Sequence, residues 1–144
     1  MHNIRPMTPH DYHLVIDLMK QTLGVTLRDA DSFDGTESYL LRNPNLSFIA
    51  LVNDIAVGCV MCGHDGRRGY LQHLLVLPDH RRKGIANQLV QSCLLALEKI
   101  GILKTHIDVL TTNQAAHAYW QSQAWQLRTD IYRMSFVSKG SENV

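Results

Sequence analysis

The sequence predicts a mixed α/β domain with a mostly antiparallel central sheet, flanked by helices and closed by one parallel crossover. Three observations predict it. Apolar, strand-like runs at 46–52, 55–62 and 70–76 are separated by turn residues, so they follow one another as hairpin neighbours. Directly after the third run, Ile85, Leu89, Val90, Cys93, Leu94, Leu97 and Ile100 repeat at helical spacing. An alternating run at 104–110 comes next, and strand, helix, strand in that order is the parallel crossover unit.

Taken in order, Asn3–Met7 reads as a short first strand. Thr8, Pro9 and Asp11 then sit where a helix cap, a first-turn proline and a helix-start carboxylate belong. The helix they open is expected to reach about Leu23, with Leu14, Val15, Leu18 and Met19 as its apolar stripe and Thr22 or Leu23 at its end. Residues 24–33 are polar and expected to be irregular. Asp34 or Glu37 would cap a second short helix carrying Tyr39, Leu40 and Leu41. Asn43-Pro44 stops it, because a residue before proline avoids helical angles. Leu46–Val52 and Ile55–Cys62 are joined by Asn53-Asp54, a two-residue hairpin turn. His64–Gly69 is a loop, Tyr70–Val76 the next strand, and the long helix runs from about Gly84 to a stop at Gly101. After the strand at Lys104–Leu110, Thr111 or Thr112 is the expected cap of a helix containing Ala115, Ala116 and Tyr119. Trp125–Leu127 and Ile131–Val137 read as closing strands, and Ser138–Val144 as a frayed polar tail.

With 144 residues the chain supports one domain with a real core, assigned to 1–137, and the tail at 138–144. Its 45% hydrophobic and 19% charged residues are ordinary for a soluble protein, and no apolar run is long enough to cross a bilayer. No apolar secretory segment precedes the first strand, which makes the cytoplasm the expected address and a membrane partner unexpected. A net charge of +1 gives no general basis for attracting nucleic acid. Cys59 and Cys62 lie three apart in a strand, on opposite faces, so they are expected neither to pair nor to share a metal. His10 and His13 offer only part of a ligand set, and no metal is expected.

Chemistry concentrates at the end of the strand that stops at Pro78. There the apolar run feeds through Asp79-His80-Arg81-Arg82-Lys83-Gly84 into the long helix. The first N–H groups of a helix have no intrahelical partner and carry the positive end of its dipole, so a helix start beside three basic residues attracts phosphate. Gly84 and Ala86 are small enough to let a phosphate oxygen approach the backbone. The turn has no GxGxxG run, which argues against a dinucleotide-binding module.

Arg81, Gly84 and Ala86 fill the Arg-x-x-Gly-x-Ala pattern, and the segment resembles the pyrophosphate-binding signature of the GNAT superfamily of acyl-CoA-dependent N-acyltransferases. A second motif reinforces this. Asn113, Ala116, Tyr119-Trp120 and Ala124-Trp125 are similar to the downstream pattern of many members, and the element order resembles the family's over nearly the whole chain. The block from Val60 to Gly69 also resembles one in small, stand-alone bacterial members.

The resemblance implies transfer of an acetyl group from acetyl-CoA to a small-molecule or peptide amine. It implies cofactor contacts from the main chain of Leu74, Leu75 and Val76, from the turn and helix start at Arg81, Arg82, Lys83, Gly84, Ile85, Ala86 and Asn87, and from Asn113, Tyr119 and Trp120. Many members carry a glutamate on the central strand as base. This strand offers Tyr70, Gln72 and His73 instead, so His73 and, on the next strand, Asp108 are the candidate bases. Trp120 stands where many members have a tyrosine that protonates the leaving thiolate, and an indole N–H lacks that acidity. A catalytically impaired CoA-binding sensor or interaction module is therefore the alternative reading. A homodimer is a further expectation, since an exposed closing strand offers an edge to a second copy.

Overall fold

The computed structural model describes residues 2–22 and 24–144; Leu23, expected at the first helix end, lies outside the described residues. The chain divides into two compact units, Met1–Ile107 and Asp108–Val144.

The first unit holds a five-stranded sheet in the order β1 (His2–Pro6), β2 (Phe48–Val52), β3 (Ile55–His64), β4 (Gly69–Val76), β5 (Thr105–Ile107). The first three pairings are antiparallel and β4–β5 is parallel. The hairpin between β2 and β3 turns on Asn53 and Asp54, both left-handed at φ 50° and 64°, as a two-residue turn of this type requires. Three helices complete the unit: α1 (Tyr12–Gln21), α2 (Phe33–Arg42) and α3 (Ile85–Lys99).

Alternation along β3 assigns its two faces. Cys59 and Met61 join Ile49 and Leu75 in a core filled from α1 by Val15, Leu18 and Met19 and from α2 by Leu40. Gly58 and Cys62 point the other way, toward Leu89 and Cys93 of α3. The expected separation of Cys59 from Cys62 holds, and all three cysteines are buried free thiols. Leu18, Ile49, Leu89 and Leu97 are each fully buried, worth about 1.5–3 kcal/mol apiece. The stop of α3 is a hydrogen-bonded one. Gly101 takes φ 85°, its N–H donates to Glu98 O at 3.0 Å, and Ile102 N donates to Leu97 O at 3.0 Å, satisfying carbonyls that would otherwise be orphaned.

Several expectations shift. Residues Pro9–Asp11 form a separate 3₁₀ turn, so α1 begins only at Tyr12. The cap of α2 is Ser32, whose Oγ accepts from Gly35 N at 3.1 Å, and not Asp34 or Glu37, which already lie inside the helix. The strand expected over 104–110 shrinks to Thr105–Ile107, because it pairs with β4 only opposite Gly69–Leu71.

The second unit contains α4 (Gln114–Ser122). Its cap is Asn113, whose Oδ1 accepts from Ala116 N at 3.1 Å, in place of the expected Thr111 or Thr112. The closing strands expected at 125–127 and 131–137 do not form. Alternating apolar residues favour a strand only when an edge is available to pair with, and no described residue there joins a ladder. Tyr132, Met134 and Phe136 are left exposed.

One ion pair anchors the start of the chain. Asp11 is buried and accepts from Arg5 Nη1 and Nη2, each at 2.8 Å, and from Thr8 N at 2.9 Å. The Arg5 hydrogen bonds hold the Asp11 carboxyl below its ordinary pKa. A depressed carboxylate adds stability that is fully present above its unfolded value and is lost as the pH falls through the folded one. Arg5→Met is expected to cost about 2 kcal/mol at pH 7, less than a fully buried pair because the guanidinium is partly solvated. Urea unfolding at neutral and acid pH checks this: the gap between variant and parent should close as the pH drops below the carboxylate range.

Candidate active site

The sheet opens at β4. Cys59 pairs with Leu75 and Met61 with Gln72, so the single residue Val60 stands opposite both His73 and Leu74. This is a β-bulge, and His73 adopts φ 52° to accommodate it. A non-glycine residue in that region costs roughly 1 kcal/mol, and histidine tolerates it better than most. The buried Cys59 thiol donates to His73 O at 3.6 Å. Burial pushes that thiol's pKa up to about 12, so it keeps the proton it donates.

Because β5 pairs with β4 only as far as Leu71, no strand among the described residues pairs with the outer edge of β4 beyond the bulge. Leu77 N donates inward to Val57 O at 2.8 Å, and strand alternation therefore turns Leu75 toward β3 and the backbone of Val76 outward. Val76 O accepts from Arg81 Nε at 2.8 Å, which leaves the Val76 N–H as a donor on the open edge. Arg81 thus ties the turn to the strand end through Nε.

The turn itself alternates. Arg82 at φ 62° and Gly84 at φ 81° are both left-handed, which gathers successive N–H groups toward one side. The first helical bond of α3 runs from Gln88 N to Gly84 O, so the Ile85 and Ala86 amides precede the ladder. Arg81, Arg82, Lys83 and Gly84 are exposed, and a Cβ built on Gly84 would meet nothing within 4 Å. Exposed backbone amides beside three cations suit a diphosphate.

At the bulge, the His73 side chain is turned inward and mostly buried. Its Nε2 lies 3.0 Å from Asp31 Oδ1, a partner 42 residues earlier in the chain. Asp31 was not among the residues singled out from sequence. It lies in a polar stretch with no periodic pattern, and only the fold brings the 3₁₀ turn Asp29–Asp31 to β4.

The remaining sequence candidates belong to the second unit. Asp108 is exposed and 3.1 Å from Arg133 Nε. The Oδ1 of Asn113 serves as the α4 cap, so its amide nitrogen is the end left for a ligand. Trp120 is buried within an aromatic group, edge-to-face with Tyr119 at 5.1 Å and with Trp125 at 4.7 Å between ring centroids. Among the described residues no cluster of three metal-ligating side chains occurs, and no helix is long and apolar enough to cross a membrane.

Comparison with known proteins gives concordant findings. The profile of the acetyltransferase (GNAT) family matches residues 12–125. An acetyltransferase of Pectobacterium atrosepticum is 37% identical over 90 residues, which cover 62% of this chain and 64% of that protein; the match thus spans less than two thirds of that relative's length. Among solved structures, the aminoglycoside N-acetyltransferase AAC(6')-Iy in complex with a bisubstrate analogue superposes with a TM-score of 0.73 at 24% identity, over 94% of this chain and 99% of that one. An acetyltransferase from Clostridium acetobutylicum with acetyl-CoA gives 0.75 at 17% identity, over 94% and 96% of the two chains.

The bulge makes its own prediction. Cys59→Ala removes the donor to His73 O and should cost about 1 kcal/mol. Hydrogen exchange should quicken around residues 72–75 but not in the middle of α3; a uniform change across both would show that only core packing had been lost.

Proposed function

This chain belongs to the acetyltransferase (GNAT) family, and on that premise we propose that it moves an acetyl group from acetyl-CoA to a primary amine by direct attack in a ternary complex. The observation that carries the reading is the open edge of β4 at Leu74–Val76 leading into the amide-lined turn at Arg81–Ala86. An amide-bearing arm satisfies such an edge as a substitute strand, and the turn takes its diphosphate. Acetyl-CoA supplies the activated acetyl thioester. The Val76 N–H, which faces that edge, holds the arm. Arg82 and Lys83 add charge to the N–H groups of Gly84, Ile85 and Ala86, with Asn87 completing the first turn of α3. In the second unit, Asn113, Tyr119 and Trp120 are the proposed cofactor contacts, on the family resemblance.

The attacking amine must shed a proton. His73 is the base this reading favours, because it stands on β4 at the bulge, next to Leu74 and the open edge. Asp108, the other candidate, is solvent-exposed and already paired to Arg133. The leaving thiolate takes its proton from water, since the Trp120 indole has no useful acidity. The acceptor class is a small-molecule or peptide amine.

We also propose that residues 1–137 work as one domain, a reading supported by a family match that runs from 12 to 125. Three buried free thiols suit a reducing compartment, and we assign the chain to the cytoplasm. A second copy is the inferred cover for the apolar residues Tyr132, Met134 and Phe136, which recur at strand spacing and are each about nine-tenths exposed. Sedimentation velocity should then show a dimer that Met134→Glu converts to monomer; a monomeric parent chain sinks this inference.

Acetyl-CoA at a hundredfold excess over its Kd should stabilise the fold by about 2.7 kcal/mol, read as a higher melting temperature. Gly84→Val should abolish the rise, but φ 81° also strains valine there. Gly84→Asn, which tolerates a left-handed backbone, should melt near the parent yet lose most of the ligand shift. Full retention of the shift in a folded Gly84→Asn would remove the turn from the cofactor site. A thiol-release screen of amines with acetyl-CoA tests turnover itself. Binding with no thiol released from any amine would favour the impaired sensor.

A further inference from the structure

We infer that Asp31 is a positioning residue for His73, holding its imidazole with the proton on Nε2 so that Nδ1 is the atom that accepts a proton from the attacking amine. The inference rests on His73 being the base and goes beyond it by naming the partner, the tautomer and the reacting nitrogen.

The geometry at Asp31 is over-determined. Its Oδ1 lies 3.0 Å from His73 Nε2, its Oδ2 accepts from Arg28 N at 2.8 Å, its carbonyl accepts from Tyr12 Oη at 2.9 Å, and its own N–H donates to Arg28 O at 2.9 Å. Every polar group of the residue is engaged, from both neighbouring backbone and α1. Tyr12 is in turn braced edge-to-face by Phe33 at 5.4 Å. A surface ion pair has two long, mobile side chains. This pair is short, with side-chain exposures of 19% for His73 and 14% for Asp31, and one partner cannot move without breaking a backbone turn.

The chemistry follows from what each atom can do. A carboxylate oxygen only accepts, so the Nε2 facing Oδ1 must carry hydrogen. In a neutral imidazole the other nitrogen then holds the lone pair. Nδ1 takes the amine proton, and the imidazolium formed is stabilised by the Asp31 carboxylate 3.0 Å from its Nε2. The proton leaves to solvent after transfer, with no other reactant required. The bulge contributes as well: the left-handed backbone at His73 sets the direction of its side chain relative to the rest of β4, so the loop turn at 29–31 and the extra residue in β4 position one group jointly.

The test uses the full chain with acetyl-CoA and the best amine from the thiol-release screen. Nitrogen-15 NMR of labelled histidine should show His73 as the Nε2–H tautomer in the parent and as a tautomer mixture in Asp31→Asn, whose amide can donate as well as accept. Asp31→Asn should lower kcat about tenfold or more, with the KM for acetyl-CoA unchanged. In a His73→Gln background the same substitution should cost nothing further, since a residue acting through His73 has nothing left to position. An unchanged tautomer and kcat in Asp31→Asn overturns the inference, and so does an equal loss in both backgrounds, which would mark a purely structural role. His73→Gln at full kcat overturns the base assignment instead, and the tautomer in the parent then decides separately whether Asp31 holds the ring.

Discussion

The extra residue in β4 opposite Val60 is the constraint on which the first unit's open edge depends. Without it β4 would continue in register beside β3. With it, pairing to β5 ends at Leu71, and the next residues keep only their inner partner. The cost is a left-handed histidine, and the surroundings offset it through the Cys59 thiol at the His73 carbonyl and the Asp31 carboxylate at its ring. Strain of this size persists only where neighbours over-determine it.

What lies on either side of that edge is arranged by different forces. Toward the core, burial of Leu75, Cys59, Met61 and the α1 side chains holds β4 in place non-directionally. Toward solvent, directional groups take over: the Val76 backbone, the Arg81 Nε that clasps it, and the amides at the start of α3. A rigid apolar floor under a polar rim lets backbone donors be pre-set before a ligand arrives, which lowers the ordering cost of binding.

The second unit is built on aromatic contact instead of a ladder. Trp120 sits between Tyr119 and Trp125, and the chain returns from α4 with Trp125 N donating to Trp120 O at 3.1 Å. That contact explains why an indole at this position is compatible with the fold: its area is used in packing, where shape matters more than acidity. The absence of strands after it has a local reason too. Arg128 pairs with Asp130 only two residues on, at 2.9 Å, a contact that an extended strand with alternating side chains does not need.

Local chemistry alone determined much of this protein. Helical spacing from Ile85, a left-handed glycine at the end of α3, Asn53-Asp54 between two strands and a basic turn before a helix are each readable because they depend on neighbours within a few residues. The motif residues Arg81, Gly84 and Ala86 were legible for the same reason, as was the family they point to. Tertiary structure alone decided the rest. Whether 131–137 pairs and how far β5 extends depend on edges that no local pattern encodes. The His73–Asp31 pair is the clearest case: a polar turn and a strand residue 42 positions apart meet only because α1 and α2 pack on one face of the sheet and carry the intervening loop to the bulge.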